Sequence, residues 1–323
     1  MRLSVCIPVY GVERYVERCA RSLFAQTLKD GVEFVFVDDC TKDGSMDVIR
    51  RVLAEFPVRQ PQVKLLRHDR NRGLMAARRT ALAAATGAWT VHCDSDDWVD
   101  PDLYEKMLAR GEATGADMVY CPVVRNESEP FTAERASSFE GTGAEFLSRI
   151  GGIASFNSAF NKMYRRGVST SPEIEFPEAV SLGEDLCFTA QAVARCAKVT
   201  SVGGSFYHYR VNEESLSRKF DADKALKDLV GVYETVCRRV PGPVSAVVRK
   251  SLLRDLLYFA LRFGAVGRED FRRLSADLSA LSDVPWPADT SAFRRTAVEV
   301  GRRCRPLGRL LLGLIGRRGF RGF

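Results

Sequence analysis

The chain has 323 residues, 46% of them hydrophobic and 28% charged, with 25 glycines and 13 prolines, which excludes both extensive disorder and collagen-like structure. Its net charge is +7, but nine arginines and one acid fall between Arg294 and Phe323, so the rest of the chain carries −1 and no nucleic-acid-binding surface is expected. Nine scattered cysteines without a CxxC pair indicate neither a disulfide framework nor a zinc site, and no run approaches the ~20 apolar residues of a membrane-spanning helix.

The apolar run after Met1-Arg2 is too short for a signal-peptide core, so a cytoplasmic location is expected. Leu3 to Val9 reads as a buried strand, followed by a helix whose inner face is Tyr15, Val16, Cys19, Ala20, Leu23 and Phe24. Glu33 to Val37 is a second strand, and Ser45 is placed to cap a helix that turns Met46, Ile49, Leu53 and Phe56 inward. Val63–Leu66, an alanine-rich helix after Gly73 and Trp89–Cys93 continue the alternation, which implies an α/β fold with a mostly parallel sheet covered on both faces. Residues 101–210 mix helical and strand-like pieces. Residues 222–323 read as helices, with Leu252, Leu253, Leu256, Leu257 and Ala260 as an apolar stripe.

In a wound sheet, ligands bind beyond the carboxyl ends of the strands, and those ends are polar here: Pro8-Val9-Tyr10, Asp38-Asp39 and Asp94-Ser95-Asp96-Asp97. Three carboxylates in one turn repel each other unless a cation sits among them, so Mg²⁺ or Mn²⁺ is the natural partner, with open positions for phosphate oxygens. Asp38 and Asp39 can accept hydrogen bonds from a ribose or a uracil N–H, while Cys40-Thr-Lys-Asp-Gly44 is turn chemistry before a helix. The histidines His68, His92 and His208 form no ligand pair by spacing, and His92 reads as a strand-core residue.

Val5-Cys-Ile-Pro-Val-Tyr10, Phe36-Val-Asp-Asp-Cys-Thr-Lys-Asp-Gly-Ser45, Asn71-Arg-Gly-Leu-Met-Ala-Ala-Arg78, Ala85-Thr-Gly87 and Asp94-Ser-Asp-Asp97, in this order and spacing, resemble a family 2 glycosyltransferase of the GT-A fold. Phe160-Asn-Lys-Met-Tyr164, Gly183-Glu-Asp-Leu-Cys-Phe188 and Tyr207-His-Tyr-Arg210 with Ser215-Leu-Ser217 extend the resemblance. It implies a GT-A (Rossmann-like) nucleotide-sugar-binding catalytic domain over residues 1–220, followed by a helical region over 221–323 that ends in a basic amphipathic tail.

The resemblance also implies roles. Pro8, Val9, Tyr10, Glu13, Asp38 and Asp39 would hold base and ribose; Arg78, Asp94, Ser95 and Asp96 would lie against the nucleotide; Asp96 and Asp97 would bind the metal. His208, Arg210 and Ser217 match a loop that folds over the diphosphate, and Asn161 and Lys162 would line the donor or acceptor cleft, with a surface turn as the alternative. Gly11, Cys40 and Arg79 depart from the family's usual asparagine, glycine and asparagine.

A sugar hydroxyl is a poor nucleophile, so transfer needs a carboxylate to take its proton as it attacks the anomeric carbon from the face opposite the nucleotide, which inverts the configuration. By resemblance Asp185 is that base and Glu184 its neighbour; read without the family, the two are acids in the first turn of a helix, where the macrodipole favours them. The function implied is metal-dependent inverting transfer of a sugar from a UDP-sugar to a glycan or lipid-linked acceptor. The alternatives are a haloacid-dehalogenase-like phosphatase, whose D-x-D-x-[TV] pattern Trp98 breaks, and a non-catalytic nucleotide- or sugar-binding module. The tail groups Leu307, Leu310, Leu311 and Leu314 on one helical face between arginine clusters, which suits peripheral contact with the inner membrane face; the alternative is a final helix packed on the domain or on the partner of a homodimer.

Overall fold

The computed structural model describes residues 1–125, 132–133, 139–150, 158–177, 180, 182–210, 222–240, 246, 248–250, 252–254, 256–257, 261, 268–284, 295, 298–299 and 301–302. Two compact units emerge: Met1–Gly143 with Ser158–Ala179 and Arg195–Glu213, and Ala144–Asn157 with Val180–Ala194 and Glu214–Phe323.

The first unit opens with β1 (Leu3–Val9), α1 (Val16–Phe24), β2 (Val32–Asp38), α2 (Ser45–Ala54), β3 (Val63–Arg67), α3 (Leu74–Ala84) and β4 (Trp89–His92). It continues through β5 (Trp98–Val99), α4 (Leu103–Thr114), β6 (Met118–Tyr120), β7 (Val123–Arg125), β8 (Thr132–Ala133) and β9 (Glu140–Gly141). After α5 (Gly143–Ile150), which spans the junction of the two units, come β10 (Lys162–Arg165), α6 (Arg166–Ser169), β11 (Val199–Ser201) and β12 (Tyr207–Tyr209).

The main sheet runs β3-β2-β1-β4-β10-β6-β11-β9, and a smaller one runs β5-β12-β7-β8. The first four strands are mutually parallel, as alternation with helices requires, whereas β10 runs antiparallel to both β4 and β6. That reversal, which falls on the Phe160–Tyr164 motif, and the antiparallel pairing of β9 with β11 at the sheet edge are the departures from a uniformly wound sheet among the described residues. Every residue of β1 and β2 is buried because helices cover both faces, and each enclosed Val, Leu or Ile contributes ~1.5–3 kcal/mol relative to exposure. Phe24 on α1 meets the edges of Phe34 and Phe36 at 5.6 and 6.0 Å between ring centroids, which fixes that helix on the sheet.

α1 buries Val16, Cys19, Ala20, Leu23 and Phe24 as its periodicity predicts, with Tyr15 half-buried at its N-cap. Ser45 does not cap α2. Gly44 takes the cap position, and Ser45 instead accepts the Val12 N–H (3.1 Å) and donates to Asp43 Oδ1 (2.5 Å), so the hydroxyl ties two loops together. Gly87 is required by a close approach, since a Cβ there would stand 2.6 Å from the backbone of Leu3 and Ser4.

A buried carboxylate pins the same region. Glu33 accepts bonds from Ser4 Oγ (2.5 Å), Thr86 N (2.6 Å) and Thr86 Oγ1 (2.9 Å), and Lys64 Nζ lies 2.7 Å away. Burial alone would raise its pKa, but these four donor contacts outweigh it and bring the group to about 2. A depressed folded-state pKa stabilises the protein above the unfolded value of ~4.3, and that contribution disappears as pH falls toward 2. Thermal melts of Glu33→Gln between pH 6 and pH 2 are therefore expected to fall less steeply than those of the parent; parallel curves would contradict this role.

In the second unit, α7 (Glu184–Ala194) packs on α8 (Ala222–Arg239), and α9 (Arg268–Ala280) follows. α8 buries Ala225, Leu226, Leu229, Val232, Tyr233 and Val236, and the stripe residues Leu252, Leu253, Leu256 and Leu257 are buried as well. No helix among the described residues is long and apolar enough to cross a membrane. Ala260, Ser217 and the tail leucines Leu307, Leu310, Leu311 and Leu314 lie outside the described residues.

Candidate active site

The carboxyl ends of β1, β2 and β4 lie side by side because the three strands are neighbours in register, with Val9 opposite Asp38. Pro8 and Val9 are buried in β1, and Tyr10, the next residue, is half-exposed at 50%, an aromatic ring presented at the sheet edge. The loops that follow are laced together: Gly11 N donates to Thr41 Oγ1 (2.9 Å), Glu13 N to Asp43 Oδ2 (3.0 Å) and Gly44 N to Glu13 Oε2 (2.8 Å). Two of the departures from the family pattern fall where the backbone has positive φ. Gly11 sits at φ 67°, and Cys40, in the position where the family favours glycine, is held at φ 60°.

Asp38 and Asp39 are both buried. Asp38 Oδ1 accepts the Thr41 N–H (2.7 Å), closing the turn, and Arg67 Nε lies 3.4 Å from Oδ2. Asp39 Oδ1 accepts the Arg72 N–H (2.8 Å) and meets His68 Nδ1 (2.6 Å), while Oδ2 accepts the Gly73 N–H (2.8 Å). The other ring nitrogen of His68 meets Thr80 Oγ1 at 2.9 Å, so this histidine positions Asp39 against α3. Sequence spacing gave no sign of it, because the contact arises only when β3 pairs with β2.

On α3, buried Arg78 donates from Nη2 to Asp94 Oδ1 at 2.8 Å. His92 is a strand-core residue as expected; burial, helped by the Arg78 guanidinium, lowers its pKa to about 3 and keeps it neutral. The Asp94–Asp97 turn hangs on Tyr207 of β12, whose hydroxyl accepts the Asp94 N–H (3.1 Å) and donates to Asp97 Oδ2 (2.7 Å). Arg210 N donates to Asp97 Oδ1 (2.8 Å) and Arg210 Nε to the Asp96 carbonyl (3.3 Å).

The four residues of the turn are thus in different states. Asp97 and Ser95 are buried, with both oxygens of Asp97 engaged inward, whereas Asp94 and Asp96 are half-buried. Burial first, then the charges of Asp96 and Asp94, push the Asp97 carboxyl well above the usual carboxylate range, against the Tyr207 and Arg210 donors that favour its charged form. No three His, Cys, Asp or Glu groups among the described residues form a closed metal cage. The donor set fits a hard divalent ion of the open kind, which takes one or two carboxylates and completes its shell with water and substrate phosphate. Asp96 is half-buried, whereas Asp97, expected from the resemblance to be a second metal ligand, has its oxygens engaged by Tyr207 and Arg210 and holds the turn.

His208 stacks on Trp98 (centroids 5.1 Å apart, planes at 7°) and meets Asp100 Oδ1 through Nε2 at 2.7 Å, which joins β12 to β5 beside the acid turn. Asn161 and Lys162 form neither an open cleft wall nor a surface turn. Both are buried: Asn161 Nδ2 donates to the Cys121 carbonyl (3.1 Å), and Lys162 Nζ donates to the Ser158 carbonyl and Asn161 Oδ1, each at 2.7 Å. They close the entry to β10 from within.

Glu184 and Asp185 belong to the second unit, in the first turn of α7, and both are half-buried. Gly183 before them has φ 84°, and a Cβ there would lie 3.2 Å from Leu229 Cδ2, so the acid pair is introduced by a backbone turn that glycine allows and α8 crowds.

Comparison with known proteins accords with this architecture. The family model for glycosyl transferase family 2 matches residues 4–170. Putative glycosyltransferase EpsH of Bacillus subtilis is 29% identical over 241 residues, 72% of this chain and 67% of that protein. Succinoglycan biosynthesis protein ExoO of Rhizobium meliloti is 31% identical over 250 residues, 73% of this chain and 68% of that protein. The crystal structure of S. aureus TarS residues 1–349 in complex with UDP-GlcNAc superposes with a TM-score of 0.72 at 18% identity, covering 100% of this chain and 94% of that one, and shares the fold. With the GT-A architecture and a family match that spans the strand ends just described, the chain belongs to glycosyl transferase family 2.

Proposed function

We propose that the protein transfers a sugar, with inversion, from a UDP-sugar to a hydroxyl of a glycan or lipid-linked acceptor. The observation that carries this reading is the convergence, at the ends of three adjacent parallel strands, of an exposed aromatic ring (Tyr10), an oriented carboxylate (Asp39) and a half-buried acid turn (Asp94 and Asp96). A nucleoside diphosphate needs these three things: a platform for the base, acceptors for base and ribose, and a place for the cation that screens its phosphates.

Asp96 holds Mn²⁺ or Mg²⁺, and the bound ion supplies neutralisation of charge on the departing diphosphate. Arg78 fixes Asp94, Tyr207 and Asp97 hold the turn in register, and Pro8, Val9, Glu13, Asp38 and Ser95 shape the loops around the nucleotide. His208 and Arg210 stand at the edge of the turn, where they would contact the diphosphate. Asp185 takes the proton of the acceptor hydroxyl, and Glu184 tunes it as a neighbouring charge. The likeness to TarS supports uridine as the carrier, and the polysaccharide role in the name of ExoO supports a glycan acceptor. A lipid-linked acceptor would bring the arginine-rich tail to an anionic membrane surface, where ~1 kcal/mol per arginine favours peripheral contact; a homodimer contact is the other use proposed for that segment.

Incubating the full chain with a panel of UDP-, GDP- and dTDP-sugars in Mn²⁺ tests the reading. Nucleotide diphosphate release is expected from UDP-sugars first, and release from none of the panel would sink it.

A further inference from the structure

The acid turn is bordered by two guanidiniums: Arg210, which by resemblance belongs to the loop over the diphosphate, and Arg18, which lies in none of the family motifs. Arg18, exposed on α1, lies with its Cζ 3.4 Å above the Trp98 ring, and Arg210 Cζ lies 5.3 Å from the same ring and 5.3 Å from that of Tyr15. Among the described residues neither side chain has a carboxylate within ion-pair distance. Glu17, the acid next to Arg18, is turned to Arg21 and Arg51 at 2.9 Å each, and Asp97 is engaged by the backbone N–H of Arg210 rather than by its guanidinium.

Two like charges held at one indole repel each other. Burial first and then Arg210 lower the pKa of Arg18, a cost that the indole face offsets only in part. An aromatic platform holds a guanidinium by its flat face and leaves the N–H donors at its rim free for a ligand. Trp98 itself is fixed by pairing of β5 with β12 and by the His208 stack, so the pair is mounted on rigid elements.

We propose that Arg18, mounted on Trp98 beside Arg210, is a further phosphate contact, which α1 brings from outside the family motifs to the arginine of the diphosphate loop. Planar forks approaching from two sides suit the several oxygens of a phosphate, which accept paired N–H bonds. The phosphate is either the donor's diphosphate or one carried by the acceptor. Only this choice of source rests on the transferase reading.

Arg18→Gln keeps the length and polarity of an exposed side chain and removes its charge. Calorimetry on the full chain at low ionic strength would compare parent and variant with two probes, UDP in Mn²⁺ and glycerol phosphate in chelator, with melting temperatures as the check on folding. A loss of about tenfold in affinity is expected, the scale for one hydrogen bond to a charged group. Loss for UDP assigns the donor diphosphate; loss for glycerol phosphate assigns an acceptor phosphate; Arg18→Lys is expected to recover part of either. Equal affinities in parent and variant for both probes, or no binding of either probe by the parent, would overturn the site. If the probe loss appears while no nucleotide sugar is turned over, the transferase reading fails and the phosphate site stands; turnover with equal affinities has the opposite meaning.

Discussion

Asp185→Asn is expected to leave UDP affinity near the parent's while lowering turnover by roughly a hundredfold or more, the usual scale for loss of a general base. The substitution keeps size and hydrogen-bonding capacity but removes the ability to take a proton. Its structural effect is small by comparison: loss of one negative charge from the first turn of α7 costs about 0.3–1 kcal/mol of helix–dipole interaction, seen as a modest drop in melting temperature. The two roles therefore separate in measurement. Single-turnover rates report the chemistry and calorimetry with UDP reports donor binding. Full transfer by Asp185→Asn would assign the base elsewhere, and a drop in melting temperature with unchanged rate would leave Asp185 only its helix-end role.

The second large effect concerns the cation. A diphosphate brought to a turn that carries Asp94, Asp96 and Asp97 meets like charge, and Arg78 is already paired to Asp94 at 2.8 Å. Chelation is expected to weaken UDP binding by at least about tenfold, since the screening of phosphate by a divalent ion is lost. Asp96→Asn is expected to bind UDP in Mn²⁺ no better than the parent does in chelator, and adding chelator to the variant should change little further, because both perturbations remove the same interaction. Independent, additive losses would place the metal on other groups. Asp97→Asn should behave differently: its partners Tyr207 and Arg210 hold the turn, so the variant is expected to lose melting temperature along with affinity.

Sequence reading recovered those parts of this site that depend on local pattern. Leu3–Val9 and Glu33–Val37 are apolar apart from Ser4 and Glu33 because helices cover both faces of their strands, and the wound topology directs attention to the residues just beyond their ends, Tyr10 and Asp38-Asp39. Cys40 stood out as a departure from glycine and is the one described non-glycine residue with positive φ. What stayed hidden depends on contacts between distant segments. Tyr207 reaches Asp97 across 110 residues, and His68 reaches Asp39 only through the pairing of β2 with β3. The Asn161-Lys162 pair was visible as a motif, but its burial follows from the antiparallel insertion of β10 between β4 and β6, which no local periodicity encodes. A serine before a helix is a good cap by type, but here Gly44 holds the cap position and the Ser45 hydroxyl is drawn to Val12 and Asp43, a contact set by the neighbouring loop.

Inverting transfer from a nucleotide sugar is distinguished by the anomer first released. Proton NMR of the full chain incubated with α-linked UDP-sugars and Mn²⁺, with water as the acceptor, would follow the free sugar as it appears. The β anomer is expected first, with the α anomer growing in later by mutarotation. An α anomer appearing first would contradict inversion, and no sugar released from any donor would contradict transfer itself.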